Sequence, residues 1–181
     1  MERDLVTDPK RVAALADERW DENVDFRAFL KGELNWPDAR LDALVAEIAT
    51  AVAARIDCQS CGNCCRTMLV TLTGADAKRL ARRLRTPLAE FEERYLATDE
   101  GSEKVIVASP CPFLEGSRCA VYEDRPATCR SFPHLRKREF RFRTLGIIQN
   151  ASCCPIIFNT LERLKERVGF RRRSRSPWRR R

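Results

Sequence analysis

The chain has 181 residues, 44% of them apolar, with nine cysteines and a net charge of +8. That length gives room for one domain with a modest core, and no apolar run approaches the roughly 18 residues that read as a membrane span. The charge is misleading: residues 171–181 hold seven arginines and no acid, so the body is near neutral at about +1 and a nucleic-acid-binding surface finds little support outside that tail.

Met1-Glu2-Arg3-Asp4 lacks the basic and apolar regions of a secretory signal, so the cytoplasm is the expected location. In a reducing compartment nine thiols argue for metal ligation over disulfides, and an odd count suits a pure disulfide framework poorly.

Residues 9–31 read as helix, opened by Asp8-Pro9 and divisible in two at the polar stretch Asp21-Glu22-Asn23. Val12, Leu15, Ala16 and Trp20 lie near one stripe, and Val24, Phe26, Phe29 and Leu30 continue it to Gly32. Trp20 and Trp36 are expected in core packing or as staples onto the next helix. A second helix runs from Pro37 or Asp38 to about Ile56, with Leu41, Leu44, Val45, Ile48, Val52 and Ile56 at three- and four-residue intervals and alanine filling much of the rest.

That helix leads into the densest chemistry of the chain, Cys58-Gln59-Ser60-Cys61-Gly62-Asn63-Cys64-Cys65. A C-x-x-C turn lets two thiolates converge on one metal, and Gly62 and Asn63 tolerate the tight backbone it needs. Adjacent cysteines leave the backbone in different directions, so Cys64 and Cys65 point to two metals or a polynuclear cluster.

Residues 67–72 are a strand candidate. Thr73 or Gly74 caps a helix with Leu80 and Leu84 inward. Its outward charges, Lys78, Arg79, Arg82, Arg83 and Arg85, read as a solvated face. Thr86-Pro87 opens another helix, carrying Leu88, Phe91, Tyr95 and Leu96. Asp99-Glu100-Gly101-Ser102 is a polar turn, and residues 104–108 form the best strand of the chain. Residues 111–122 have the pattern of a β-hairpin turning at Glu115-Gly116-Ser117, which would bring Cys111 and Cys119 together. Pro126 suits the first turn of a short helix, with Asp124 or Arg125 near its cap, that points Cys129 back at the site. Phe140, Phe142, Leu145, Ile147 and Ile148 suggest a strand. Cys153-Cys154-Pro155 is the last ligand region, and residues 156–168 form a final amphipathic helix. Composition changes at Gly169, and residues 171–181 are expected to be disordered.

These blocks resemble the YkgJ-type cysteine-cluster family, the zinc- or iron-chelating CxxCxxCC proteins. The resemblance is carried by the Cys58–Cys65 run, Cys111-Pro112-Phe113-Leu114, the stretch from Cys119 through Tyr122, Arg125, Pro126 and Cys129 to Pro133, and Cys154-Pro155. It implies metal binding by eight cysteines: Cys58, Cys61, Cys64, Cys65, Cys111, Cys119, Cys129 and Cys154. Cys153 is the spare, or it is the ligand and Cys154 the spare. Flagellin lysine N-methylase, a distant relative, shares a similar cluster, but no glycine-rich nucleotide loop is present here.

Eight thiolates fit a pair of tetrahedral zinc sites with Zn–S near ~2.3 Å, or an iron-sulfur cluster. Cys58, Cys61 and Cys64 keep the ferredoxin-like C-x-x-C-x-x-C spacing, and Cys111-Pro112 or Cys154-Pro155 offers its Cys-Pro ending, which tilts the reading slightly toward iron and sulfur. Arg66, Arg118, Arg125 and Arg130 stand beside ligands in sequence and are candidates to offset thiolate charge, or surface ion pairs. His134, the one histidine, is not needed as a ligand.

The expectation is therefore a mainly helical α+β single domain around a small metal-thiolate centre with short β-hairpins. It comprises an N-terminal helical segment (1–36), a cysteine-cluster domain (37–169) and an Arg-rich tail (170–181). Its role is structural, metal-handling or redox. The alternatives are an iron-sulfur enzyme distantly like the methylase, or an adaptor that meets nucleic acid or an acidic partner through Arg171 to Arg181. No catalytic residue or small-molecule substrate is legible.

Overall fold

The computed structural model describes residues 4–107 and 109–172. In chain order the elements are α1 (Pro9–Glu18), α2 (Trp20–Gly32), α3 (Asp38–Ala53), the single turns α4 (Cys58–Cys61) and α5 (Cys64–Thr67), β1 (Thr71–Leu72), α6 (Gly74–Arg83), α7 (Leu88–Tyr95), β2 (Leu96–Thr98), β3 (Lys104–Ile106), β4 (Leu114–Glu115), β5 (Arg118–Cys119), α8 (Ala127–Ser131), α9 (Phe140–Gln149) and α10 (Pro155–Arg167). Turns of 3-10 helix lie at Tyr122–Asp124 and Asn150–Ser152. The fold is mainly helical α+β with small antiparallel sheets, as the sequence predicts. Among the described residues no helix is long and apolar enough to cross a membrane.

The chain divides into two compact units, one formed by the residues up to Ile56 together with those from His134 onward, the other by Asp57–Pro133. Within the first unit α3 packs on α9 and α10.

The first unit is helical. Asp8 caps α1 by accepting from the Arg11 amide at 2.8 Å, and Pro9 supplies the fixed φ of a first helical residue. The chain breaks at Arg19 and restarts as α2. Leu41, Val45, Ile48, Ala49 and Val52 of α3 are buried at helical spacing against α10, whose Ile157, Leu161 and Leu164 are fully enclosed.

Residues 140–148 are a helix, not the expected strand. The Asp42 carboxylate accepts from the Glu139 and Phe140 amides, each at 2.9 Å, and so satisfies the exposed donors of the first turn. Phe140, Thr144, Ile147 and Ile148 are then buried at offsets of a helix. The fifth buried residue, Arg141, bonds Asp38 at 2.7 Å and the carbonyls of Leu30, Leu34 and Trp36. Trp20 is 41% exposed rather than a core residue, and Arg40 stacks on Trp36 at 3.8 Å. Phe170, assigned by composition to the tail, is buried against Phe26 and Phe29 with ring centroids at 5.1 and 5.4 Å. Residues 173–181, most of the expected tail, lie outside the described residues.

The second unit is built from short elements. β3 pairs with β1 on one side (Thr71 with Val105) and β2 on the other (Leu96 with Ile106), and β4 pairs with β5. The strand expected over 67–72 is only Thr71–Leu72, since Thr67 ends α5. Val70, Leu72, Ala77, Leu80, Ala81, Phe91, Ile106, Phe113 and Val121 form one apolar cluster, and Cys111, Cys119 and Cys129 pack against its edge.

Candidate metal centre

Three chain segments assemble the cysteine region. The first starts at Asp57, whose side chain accepts from the Gln59 amide at 2.9 Å and caps α4. Cys58 and Cys61 are therefore three residues apart on one helical turn, which puts both side chains on the same face. Gly62 stops that turn in the left-handed region at φ +57°. A Cβ at Gly62 would stand 2.5 Å from the Ser117 carbonyl oxygen, so a side chain is excluded by space as well as by backbone conformation. Arg66 fastens the same loop, donating to the Cys61 carbonyl at 2.9 Å and to the Gly116 carbonyl at 2.7 Å.

The second segment is the β4–β5 hairpin. The Cys111 amide donates to the Cys65 carbonyl at 2.8 Å, and the Ser109 hydroxyl to the Arg66 carbonyl at 2.8 Å, so the two segments run side by side. Leu114 donates to the Cys111 carbonyl, and Leu114 pairs with Cys119 across the hairpin. The ladder is shorter than the expected 111–122: Cys119 lies opposite Leu114, and Cys111 stands before β4 begins.

The third segment is α8, which carries Cys129. Its cap is remote in sequence: the Ala127 amide donates to Asp76 Oδ1 at 3.1 Å. Asp76 is only 2% exposed and also accepts from the Thr73 amide (3.0 Å), the Thr73 hydroxyl (2.7 Å) and Arg79 Nη2 (2.5 Å). Burial alone would raise the pKa of this carboxyl, but the donors around it outweigh burial and hold it at about 2. Arg79 continues the brace to the Asp124 and Arg125 carbonyls at 3.1 and 3.0 Å. The residue expected on a solvated face is thus half-buried and locks the segment leading into α8. The Thr71 and Thr128 hydroxyls, 3.2 Å apart, join β1 to α8.

The thiols of Cys65, Cys111, Cys119 and Cys129 act on one another electrically. Burial pushes Cys129 up to about 12, and negative charge on Cys65, Cys111 and Cys119 adds to the rise, with Arg125 opposing it. Cys111 and Cys119 are raised for the same two reasons, burial first. Cys65 goes the other way, to about 7, because the Cys64 thiol hydrogen-bonds it and the Arg66 charge lies close, against burial. Such a set resists full ionisation without a cation among the sulfurs. Sulfur-only donors suit zinc and iron and disfavour the hard cations magnesium and calcium. Among the described residues, no three His, Cys, Asp or Glu side chains are already drawn into a cage that could hold a metal ion.

At the outer side the exposed Cys58 has its sulfur 4.0 Å from the Tyr122 hydroxyl, and Arg125 stacks on the Tyr122 ring at 3.7 Å. Of the four arginines near cysteines in sequence, Arg66 holds the Cys61 and Gly116 carbonyls and Arg125 is half-buried on Tyr122, while Arg66, Arg118 and Arg130 are exposed. Cys153, Cys154 and His134 belong to the first unit. Cys153 donates through sulfur to the Asn150 carbonyl at 3.3 Å, and the buried Cys154 precedes Pro155 at the start of α10. His134 has φ +62°, and its carbonyl accepts from Arg143 at 2.9 Å.

Sequence reasoning missed Asp76, Arg79 and Tyr122. The spacing Thr73-x-x-Asp76 was the available signal for the first, since it is a capping box.

A mainly helical α+β scaffold presenting clustered thiols around short loops defines a cysteine-cluster protein. Residues 57–155, more than half of the chain, match the family model CxxCxxCC, "Putative zinc- or iron-chelating domain", and the chain belongs to that family. No curated protein and no solved structure matches it.

Proposed function

We propose that the protein binds zinc or an iron-sulfur centre through Cys58, Cys61, Cys64, Cys65, Cys111, Cys119 and Cys129, and that this centre has a structural, metal-handling or electron-carrying role. Cys154 is the eighth member that the resemblance adds, and its own substitution tests it. The single observation behind the reading is that Cys111, Cys119 and Cys129 pack on the edge of one apolar cluster, with the Cys58–Cys65 segment tied to it where the Cys111 amide donates to the Cys65 carbonyl at 2.8 Å.

When bound, such a metal supplies charge compensation for thiolates and, as iron, one-electron chemistry. The protein's part is to hold the donors. α4 carries two sulfurs on one face, the hairpin carries two more, and α8 brings Cys129 under the control of Asp76. Filling every metal position with sulfur leaves no open position for a water, which favours holding a fold or passing an electron over hydrolysis. Because the thiols stand near one another without forming a cage, binding draws them inward and couples metal affinity to folding. The ferredoxin-like spacing of Cys58, Cys61 and Cys64, with Cys111-Pro112 alongside Cys65, keeps the tilt toward iron and sulfur.

Anaerobic purification with elemental analysis and a visible spectrum tests the reading. A brown protein absorbing near ~400 nm identifies iron-sulfur, and a colourless one with bound zinc identifies the structural form. Cys129→Ser is expected to lower metal content. Full metal content in that variant and in Cys61→Ser defeats the ligand set.

A further inference from the structure

Tyr122 has a place that neither packing nor capping explains. It is half-buried on the 3-10 turn that follows β5, outside the apolar cluster. One face of its ring is covered by the Arg125 guanidinium at 3.7 Å, and Arg125 Nη1 also donates to the Tyr122 carbonyl at 2.5 Å. Arg125 is held from behind, because its own carbonyl accepts from Arg79 at 3.0 Å. With ring and guanidinium fixed on each other, the hydroxyl is left directed at the Cys58 sulfur, 4.0 Å away and within reach for a hydrogen bond to sulfur.

The direction of that bond follows from the metal-binding reading, on which this inference rests. A metal-bound sulfur is a thiolate with no hydrogen, so it only accepts, and the phenol must donate. A guanidinium on the ring face draws charge from the phenol and makes the hydroxyl a stronger donor. A hydrogen bond to a ligating sulfur withdraws electron density from the metal, and such bonds are among the factors that set the potential of iron-sulfur centres. We propose that Tyr122 is a positioning residue that donates to the Cys58 sulfur, and that Arg125, stacked on its ring, strengthens this bond and so tunes how strongly Cys58 gives charge to the metal. Arg125 acts through Tyr122 on Cys58.

The test uses the full chain, metal-free and then loaded with Co²⁺ as a coloured stand-in for the native metal. Tyr122→Phe is expected to keep the metal stoichiometry and, because the sulfur then gives more charge to the metal, to shift the sulfur-to-cobalt charge-transfer band to longer wavelength. Arg125→Gln is expected to shift it the same way, and Arg125→Lys less. In a Cys58→Ser background the Tyr122→Phe shift is expected to vanish. A Tyr122→Phe band equal to wild type overturns the proposal, as does a shift that persists undiminished without Cys58. A second readout needs no metal: peptide-mapped alkylation of Cys58 in the metal-free protein should change at least about twofold in Tyr122→Phe, with Cys61 unaffected, since a phenol hydrogen-bonded to a thiol alters its reactivity. If wild type binds no Co²⁺ while the alkylation rate still changes, the metal-binding reading fails and the Tyr122–Cys58 contact stands. No change in either readout removes the contact itself.

Discussion

The two units reach order by different routes. The first is made of long helices, α3 with 16 residues and α2 and α10 with 13 each, and its interior is filled by apolar residues at helical spacing. Among its described residues the second has no helix longer than the 10 residues of α6, and its strands have two or three residues. Its loops are held by side chains bonding to backbone: Arg66 to Cys61 and Gly116, Arg79 to Asp124 and Arg125, Asp76 to Thr73 and Ala127. One unit is filled along long helix faces, and the other adds polar clamps to a small apolar cluster between short elements.

Metal removal should break the comparison most visibly. On treatment with a chelator, amides of residues 57–133 are expected to lose hydrogen-exchange protection while those of α3 and α10 keep theirs. Leu161→Ala sets the opposite limit, expected to cost about 2–5 kcal/mol by chemical denaturation with bound metal per folded chain unchanged. Gly62→Ala comes next. It places a methyl group against the Ser117 carbonyl in a left-handed backbone, so about 1–3 kcal/mol of strain is expected, read as lower metal content and lower stability of the second unit.

Asp76→Asn is expected to cost about 1–3 kcal/mol, the scale of a buried charged acceptor losing its charge. Its pH dependence has a definite sign. The folded-state pKa of Asp76, about 2, lies below the ordinary value of 3.8, so its stabilisation is fully present above pH 4 and is lost as pH falls toward 2. The stability gap between wild type and Asp76→Asn should therefore close over that window. The smallest effect sharpens the contrast within α6: Arg82→Ala, on the exposed face, should stay within about 0.5 kcal/mol, whereas Arg79→Ala should exceed it.

What could be read from the sequence was what the sequence encodes locally. Asp8-Pro9, Thr73 with Asp76, and Thr86-Pro87 announce helix starts within a few residues, and α1, α6 and α7 begin there. The hairpin between Cys111 and Cys119 is marked by its own turn. From sequence alone α9 resembles a strand, because its cap, Asp42, lies 98 residues from Phe140 in the chain and because Arg141 is buried by three other residues' carbonyls and Asp38. β2 has only Leu96, Ala97 and Thr98 and exists through its pairing with β3. Within the cysteine region the sulfurs were legible as a pattern, but their supports were not: Asp76 meets Ala127 across 51 positions, and nothing near either residue signals the other.

The Asp76–Arg79 brace has a practical consequence for anyone transplanting this cysteine motif onto a different scaffold. Both residues lie between Cys65 and Cys111, outside every cysteine-bearing stretch, so a graft copied by matching cysteines alone would omit them. Such a chimera would carry all the sulfurs with the Cys129 helix untethered, and the acid and its arginine have to travel with it.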